Sequence, residues 1–133
     1  MSEQENNIAV IKKGYDAFTA GDFEALMATF DDNIVWIQPG RSTVSGSYHG
    51  KGELAEYLAS LGQNSPTVTP RRFIADGDTV VVLSEATVGG ETSQDVEVYT
   101  MRGGKTARVE VYGDTALMER VYGMKRVSGD QRV

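Results

Sequence analysis

The sequence predicts an α+β fold in which a curved antiparallel sheet wraps against N-terminal helices. Three observations carry this. Apolar residues recur at helical spacing early in the chain and again near its middle. The second half reads instead as strand-like runs divided by Asp-Gly and Gly-Gly turns, which supply the positive φ that tight hairpins need. Runs such as Thr67–Ala75 and Thr79–Val88 exceed the typical strand length of ~5–6 residues. Strands that long twist and curl, and a curled sheet forms a trough.

Ile8, Ile11, Tyr15 and Phe18 form one apolar stripe, so residues 7–20 are expected to be helical. Gly21 ends that helix, and Asp22 can cap a second one carrying Phe23, Leu26, Met27 and Phe30. Asp31-Asp32-Asn33 breaks the pattern before a strand over Ile34–Gln38, which Pro39-Gly40 stops. Residues 40–50 are rich in Gly and Ser and are expected to form a loop. Leu54, Tyr57, Leu58 and Leu61 place a third helix over 52–61, closed by Gly62 and Pro66. Four strands follow: Thr67–Ala75, Thr79–Val88, Thr92–Met101 and Lys105–Tyr112. Their turns are Asp76-Gly77-Asp78, Gly89-Gly90 and Gly103-Gly104, and a short helix over Thr115–Val121 ends the pattern. Neither an internal repeat nor a linker is visible, so residues 1–133 are expected to be one domain, with its core at about 7–122 and a tail at 123–133.

The chain has 133 residues, 40% of them hydrophobic, which suits one core and argues against disorder. No apolar run approaches the ~20 residues that span a bilayer, and the first residues lack the pattern of a secretory leader. A cytoplasmic location is the expectation. Cysteine is absent, which excludes disulfides and thiolate chemistry, and a lone His49 argues against a histidine-rich zinc site. A net charge of -6 disfavours nucleic acid and anionic membranes as partners. Lys125, Arg126 and Arg132 make a small basic cluster that reads as a solvated terminus. A small molecule remains as the partner, with no cofactor and no metal expected.

Several segments together resemble the nuclear transport factor 2-like superfamily: the Ala20-Gly21-Asp22 corner, Trp36-Ile37-Gln38-Pro39-Gly40, Tyr48-His49-Gly50-Lys51, and the Gly103-Gly104-Lys105 hairpin that leads to Asp114. Within it the chain is most similar to the SnoaL-like and ketosteroid-isomerase-like families, over roughly residues 7–122. The resemblance implies a cone-shaped, cystatin-like domain whose helices and sheet enclose a hydrophobic pocket, paired into a homodimer through the sheet. An exposed meander with an apolar outer face points to the same pairing. No single function follows from the fold, because it hosts isomerases, cyclases, hydrolases and non-enzymatic binders.

Asp114 is the leading catalytic candidate. In SnoaL-like polyketide cyclases an aspartate near the end of this strand takes part in acid/base work, and an apolar pocket would raise its pKa toward the working pH. Asp114 also suits the N-cap of the helix that follows. Ketosteroid isomerases carry their base just before a proline, where this chain has Gln38 before Pro39; an amide cannot abstract a proton, so Gln38 is read as lining the pocket. Gly14 stands near the position of those isomerases' helix tyrosine, with Tyr15 one step on. Limonene epoxide hydrolases need an arginine in the strand around Ser84–Val88, which holds none, only Glu85 as a lone or outward acid. Glu97 lies close to the isomerases' protonated acid, on one strand face with Asp95 and Tyr99. Trp36, Tyr48 and Tyr99 offer aromatic area with a polar handle for a ligand, or for an ordinary core, whereas Tyr112 is assigned to the core or a dimer face. His49 sits in a Gly-rich approach to a helix, a setting where solvated histidines are common.

The resulting expectation is binding of a small hydrophobic metabolite, with cofactor-independent isomerisation or cyclisation through Asp114. Trp36, Gln38, Tyr48, Glu97 and Tyr99 would contact the ligand. The alternative is a non-catalytic ligand- or partner-binding module of the same fold.

Overall fold

A computed structural model describes residues 2–126. Helix α1 (Glu3–Ala20) starts earlier than its apolar stripe implies. Ser2 Oγ accepts from the Glu5 N–H, and the Glu5 carboxylate accepts from the Ser2 N–H, a reciprocal box that satisfies two orphan donors. Gly21 turns the chain at φ 71°, and Asp22 caps the short helix α2 (Phe23–Met27) through the Ala25 N–H.

Phe30 does not belong to α2. It opens strand β1 (Phe30–Gln38), which takes in the acidic segment expected to separate the second helix from the strand. The register shifts between Phe30 and Val35, so the polar residues are absorbed where pairing is irregular. A second correction falls on residues 40–50, where Gly46–His49 forms a short edge strand, β2, paired with β1. The preceding Ser-rich turn is buried and self-satisfying: the Ser42 N–H donates to Ser45 Oγ, whose own hydroxyl donates to the Pro39 carbonyl.

Helix α3 (Gly50–Leu61) comes next, followed by β3 (Thr67–Asp76), β4 (Thr79–Val88), β5 (Glu91–Arg102), β6 (Lys105–Tyr112) and helix α4 (Thr115–Tyr122). Beyond α4, the Lys125 N–H bonds the Arg41 carbonyl and Met124 pairs with Ser42, which anchors the start of the expected tail. Arg132, the third member of the basic cluster, lies outside the described residues.

The six strands form one curved, open sheet in the order β2-β1-β6-β5-β4-β3. It is not purely antiparallel, because β1 and β6 run parallel. A parallel pair needs a long crossover, and everything between β1 and β6 supplies it. Strand β4 shows how the sheet divides inside from outside: Val80, Val82, Ser84, Ala86 and Val88 are buried, and the residues between them are half-buried. The buried side meets Ile11 and Ala17 of α1 and Leu54 and Tyr57 of α3 in one hydrophobic cluster. Among the described residues no helix is long and apolar enough to cross a membrane.

Gly89, in the β4–β5 turn, has φ 56°, and a Cβ there would come within 2.9 Å of Val121 Cγ1 on α4. Both the left-handed backbone and the contact oppose any side chain. Gly89→Ala is therefore expected to cost about 1–2 kcal/mol, read as a lowered urea midpoint at unchanged m.

Candidate active site

The concave face of the sheet and helices α1 and α3 enclose a cavity of about 120 Å³. Most of its wall is apolar, with Ile11 and Phe18 from α1, Leu58 and Leu61 from α3, Val111 from β6 and Met118 from α4. Polar groups enter on two strands. Strand β5 contributes Ser93, Asp95, Glu97 and Tyr99, which alternate onto the inner face at period 2, and β1 contributes Trp36 and Gln38 by the same alternation.

Glu97 is the buried acid of this cavity, at 6% exposure. The Tyr15 hydroxyl donates to its Oε1 at 2.7 Å, and Ser84 Oγ lies 2.9 and 3.0 Å from its two oxygens. Burial raises its pKa from 4.5 to about 7; the Tyr15 and Ser84 hydrogen bonds oppose the rise, and the nearby Asp95 charge adds to it. Burial also pushes the Tyr15 and Tyr99 hydroxyls far above their ordinary range, so both remain protonated. The result is a carboxyl able to hold or release a proton near neutrality, positioned by donors that do not titrate.

On the facing part of the wall, Gln38 is 7% exposed and its Oε1 accepts from the Tyr57 hydroxyl at 2.8 Å. Trp36 packs on Tyr57 with ring centroids 5.6 Å apart, and its indole N–H is buried without a hydrogen-bond partner. Tyr48 is not among the cavity-lining residues. It packs behind Tyr57 at 4.8 Å, and its hydroxyl donates to the Val44 carbonyl.

Asp114 stands at the rim, exposed, and its Oδ1 accepts the Leu117 N–H as the N-cap of α4. It thus borders the cavity and caps the helix at once. Beside it, half-buried Asp95 accepts from Ser93 Oγ. Burial raises the Asp95 pKa, Ser93 opposes the rise, and the Asp114 charge adds to it.

The remaining candidates lie elsewhere. His49 is exposed at the start of α3, and Glu85 points outward to pair with Arg71 at 3.0 Å. Tyr112 is 56% exposed, on the outside of the domain rather than in the core. No group of His, Cys, Asp or Glu among the described residues is placed to hold a metal ion. Ser84, Tyr57 and Asp95 were not offered by sequence as site residues, and Tyr15 was set aside there as one step past the isomerases' tyrosine position. For Tyr15 the signal was present, because it sits on the same apolar stripe as Ile11 and Phe18 and must face inward.

A SnoaL-like domain model matches residues 11–109. No curated protein matches the chain. Among solved structures, Bal32a from a soil-derived mobile gene cassette is similar with a TM-score of 0.84 at 22% identity, over 91% of this chain and 99% of that one. An NTF2-like protein of unknown function from Burkholderia pseudomallei gives a TM-score of 0.81 at 25% identity, over 92% and 98%. TerC, co-crystallised with polyporic acid, gives 0.79 at 29% identity, over 88% and 98%. These likenesses agree with a nuclear transport factor 2-like fold of helices and a curved, open sheet. With three quarters of its length matched, the chain belongs to the SnoaL-like domain family.

Proposed function

We propose that the chain binds a small hydrophobic metabolite in this cavity and moves a proton on it without a cofactor, in an isomerisation or an aldol-type cyclisation. One observation carries the reading: a carboxyl, Glu97, sits in an apolar cavity with a pKa of about 7. A general acid/base works best when its pKa lies near the working pH. Glu97 is the proton-transfer group, Tyr15 and Ser84 hold it, and Trp36, Gln38 and Tyr99 contact the ligand. Asp114, the residue favoured by sequence, belongs to the rim in this scheme because one of its oxygens is committed to the helix cap. The co-crystallisation of TerC with polyporic acid supports a small organic ligand in the same fold.

The test is deuterium exchange at the carbon beside the carbonyl of cyclic ketones, followed by NMR in heavy water. Exchange by the wild type that is lost in Glu97→Gln and kept in Asp114→Asn supports the assignment. The reverse pattern gives the chemistry to Asp114. Ligand binding without exchange supports a second reading, a non-catalytic binder, which the two donors already engaging Glu97 favour.

We also propose a homodimer through the outer sheet face, where Val81, Leu83, Val96 and Val98 are only half-buried in the single chain. A monomeric mass in solution would reject it.

A further inference from the structure

One polar atom of the cavity wall has no partner. Of the buried side-chain nitrogens and oxygens among the described residues, Trp36 Nε1 alone makes no hydrogen bond. Leaving a buried donor unmade destabilises a fold, so each such group calls for a reason. Neighbouring rings hold the indole in place: Phe30 meets it edge-on at 6.1 Å, and Tyr57 packs on it at 5.6 Å. The buried side-chain acceptors of the lining are already engaged, Gln38 Oε1 by the Tyr57 hydroxyl and Glu97 Oε1 by the Tyr15 hydroxyl. A fixed donor with nothing to donate to is placed for an acceptor that arrives from outside.

A second observation relates this donor to Glu97. Both residues line the cavity. Trp36 is opposite Val109 on β6, and Val109 is opposite Tyr99 on β5, one inward position from Glu97. Two strand spacings, roughly 10 Å, therefore separate the β1 and β5 walls. The Tyr57 hydroxyl registers both groups. Burial pushes its pKa far above the ordinary range, the Trp36 indole opposes the rise, and the Glu97 charge adds to it. The indole is thus near enough to that hydroxyl to influence it, without the geometry of a hydrogen bond. Donor and acid act on the same part of the cavity from opposite walls.

We propose that Trp36 is a further catalytic residue: its indole N–H binds the carbonyl oxygen of the substrate while Glu97 works on the carbon beside it. The inference rests on the reading above that Glu97 moves a proton on a ligand in this cavity, and it adds the group that holds the oxygen. Glu97 takes a proton from that carbon, the C–H electron pair becomes the enolate double bond, and the carbonyl pair moves onto oxygen. The oxyanion meets the indole, which donates a hydrogen bond and keeps its proton, since Nε1–H is a donor only. Return of the proton from Glu97 to the same carbon restores the ketone. A preorganised donor in a water-poor site acts most strongly where charge develops.

The experiment replaces Trp36 by benzothienylalanine, in which sulfur stands where the indole N–H was and the fused-ring shape is kept. Because that N–H has no partner in the free protein, the urea midpoint should not fall. Calorimetry then measures β-tetralone and tetralin, the same skeleton without oxygen, on both proteins, and NMR in heavy water follows exchange of the ketone. The analogue is expected to weaken β-tetralone about tenfold and to leave tetralin unchanged. Its kcat for exchange should fall by about 10²–10³-fold, as loss of one oxyanion donor does, with a smaller change in KM. Equal changes for the two ligands, or an unmoved ketone affinity, overturn the role of Trp36; wild-type exchange that is lost in Glu97→Gln then leaves Glu97 standing. A urea midpoint that falls together with both affinities gives the N–H a structural role and likewise overturns the proposal. Binding without exchange by the wild type overturns Trp36 and Glu97 alike as catalytic residues. If neither ligand binds the wild type, the cavity is not a ligand site and both readings fall.

Discussion

Glu97→Gln lowers ketone exchange by about 10²–10⁴-fold, the range that a positioned acid/base contributes. The amide has nearly the shape of the carboxyl and still offers an oxygen to Tyr15 and Ser84, so the loss measures proton transfer rather than packing. The wild-type rate should rise with pH and level off above about 7, because the base is the ionised carboxylate and its pKa stands at about 7. Tyr15→Phe removes a hydrogen bond that lowers this pKa, so its profile moves to higher pH. A profile bending near 4.5, the ordinary value, would mean that Glu97 is solvated when it acts and would remove the argument for it.

Why sequence pointed to Asp114 first follows from what each residue type reveals locally. Asp114 announces itself through its neighbours, as a strand end on one side and a capped helix on the other. Glu97 carries no such mark. Alternation sets Asp95, Glu97 and Tyr99 on a common face, but the opposite face holds Val96 and Val98, apolar enough to be the inner one. Only the register of β4 against β5, with Ser84 beside Asp95 and Val82 opposite Glu97, decides which side is buried. That pairing is a tertiary fact.

The fold was legible where the signal is local. Helices with clear apolar stripes and strands bounded by Gly-Gly turns were placed to within a few residues, as α3 and β4 show. Strand β2 was not, because a short edge strand in a Gly- and Ser-rich segment has no periodicity to read. The parallel partnership of β1 and β6 joins residues far apart in sequence, and neither strand records the other's direction. Tyr15 lies between these cases: its helix phase was readable, and its contact with Glu97 across most of the chain was not.

The stability of the wild type should fall by roughly 3 kcal/mol as pH rises from 4.5 to 7, and that of Glu97→Gln should lack this fall. The sign follows from proton counts. In the unfolded chain Glu97 has its ordinary pKa near 4.5, and in the folded protein it is about 7. Between these values the folded state keeps a proton that the unfolded state has released, so raising the pH favours unfolding. The stabilising contribution is complete below about 4.5 and is lost through pH 7, where both states become ionised. Asp95, also raised by burial, adds a slope of the same sign to both proteins. Urea unfolding at several pH values gives the comparison directly, and the variant should overtake the wild type in relative stability toward pH 8. Parallel curves for the two proteins would show that Glu97 titrates alike in the folded and unfolded states, and the buried acid would then be no proton-transfer group at neutral pH.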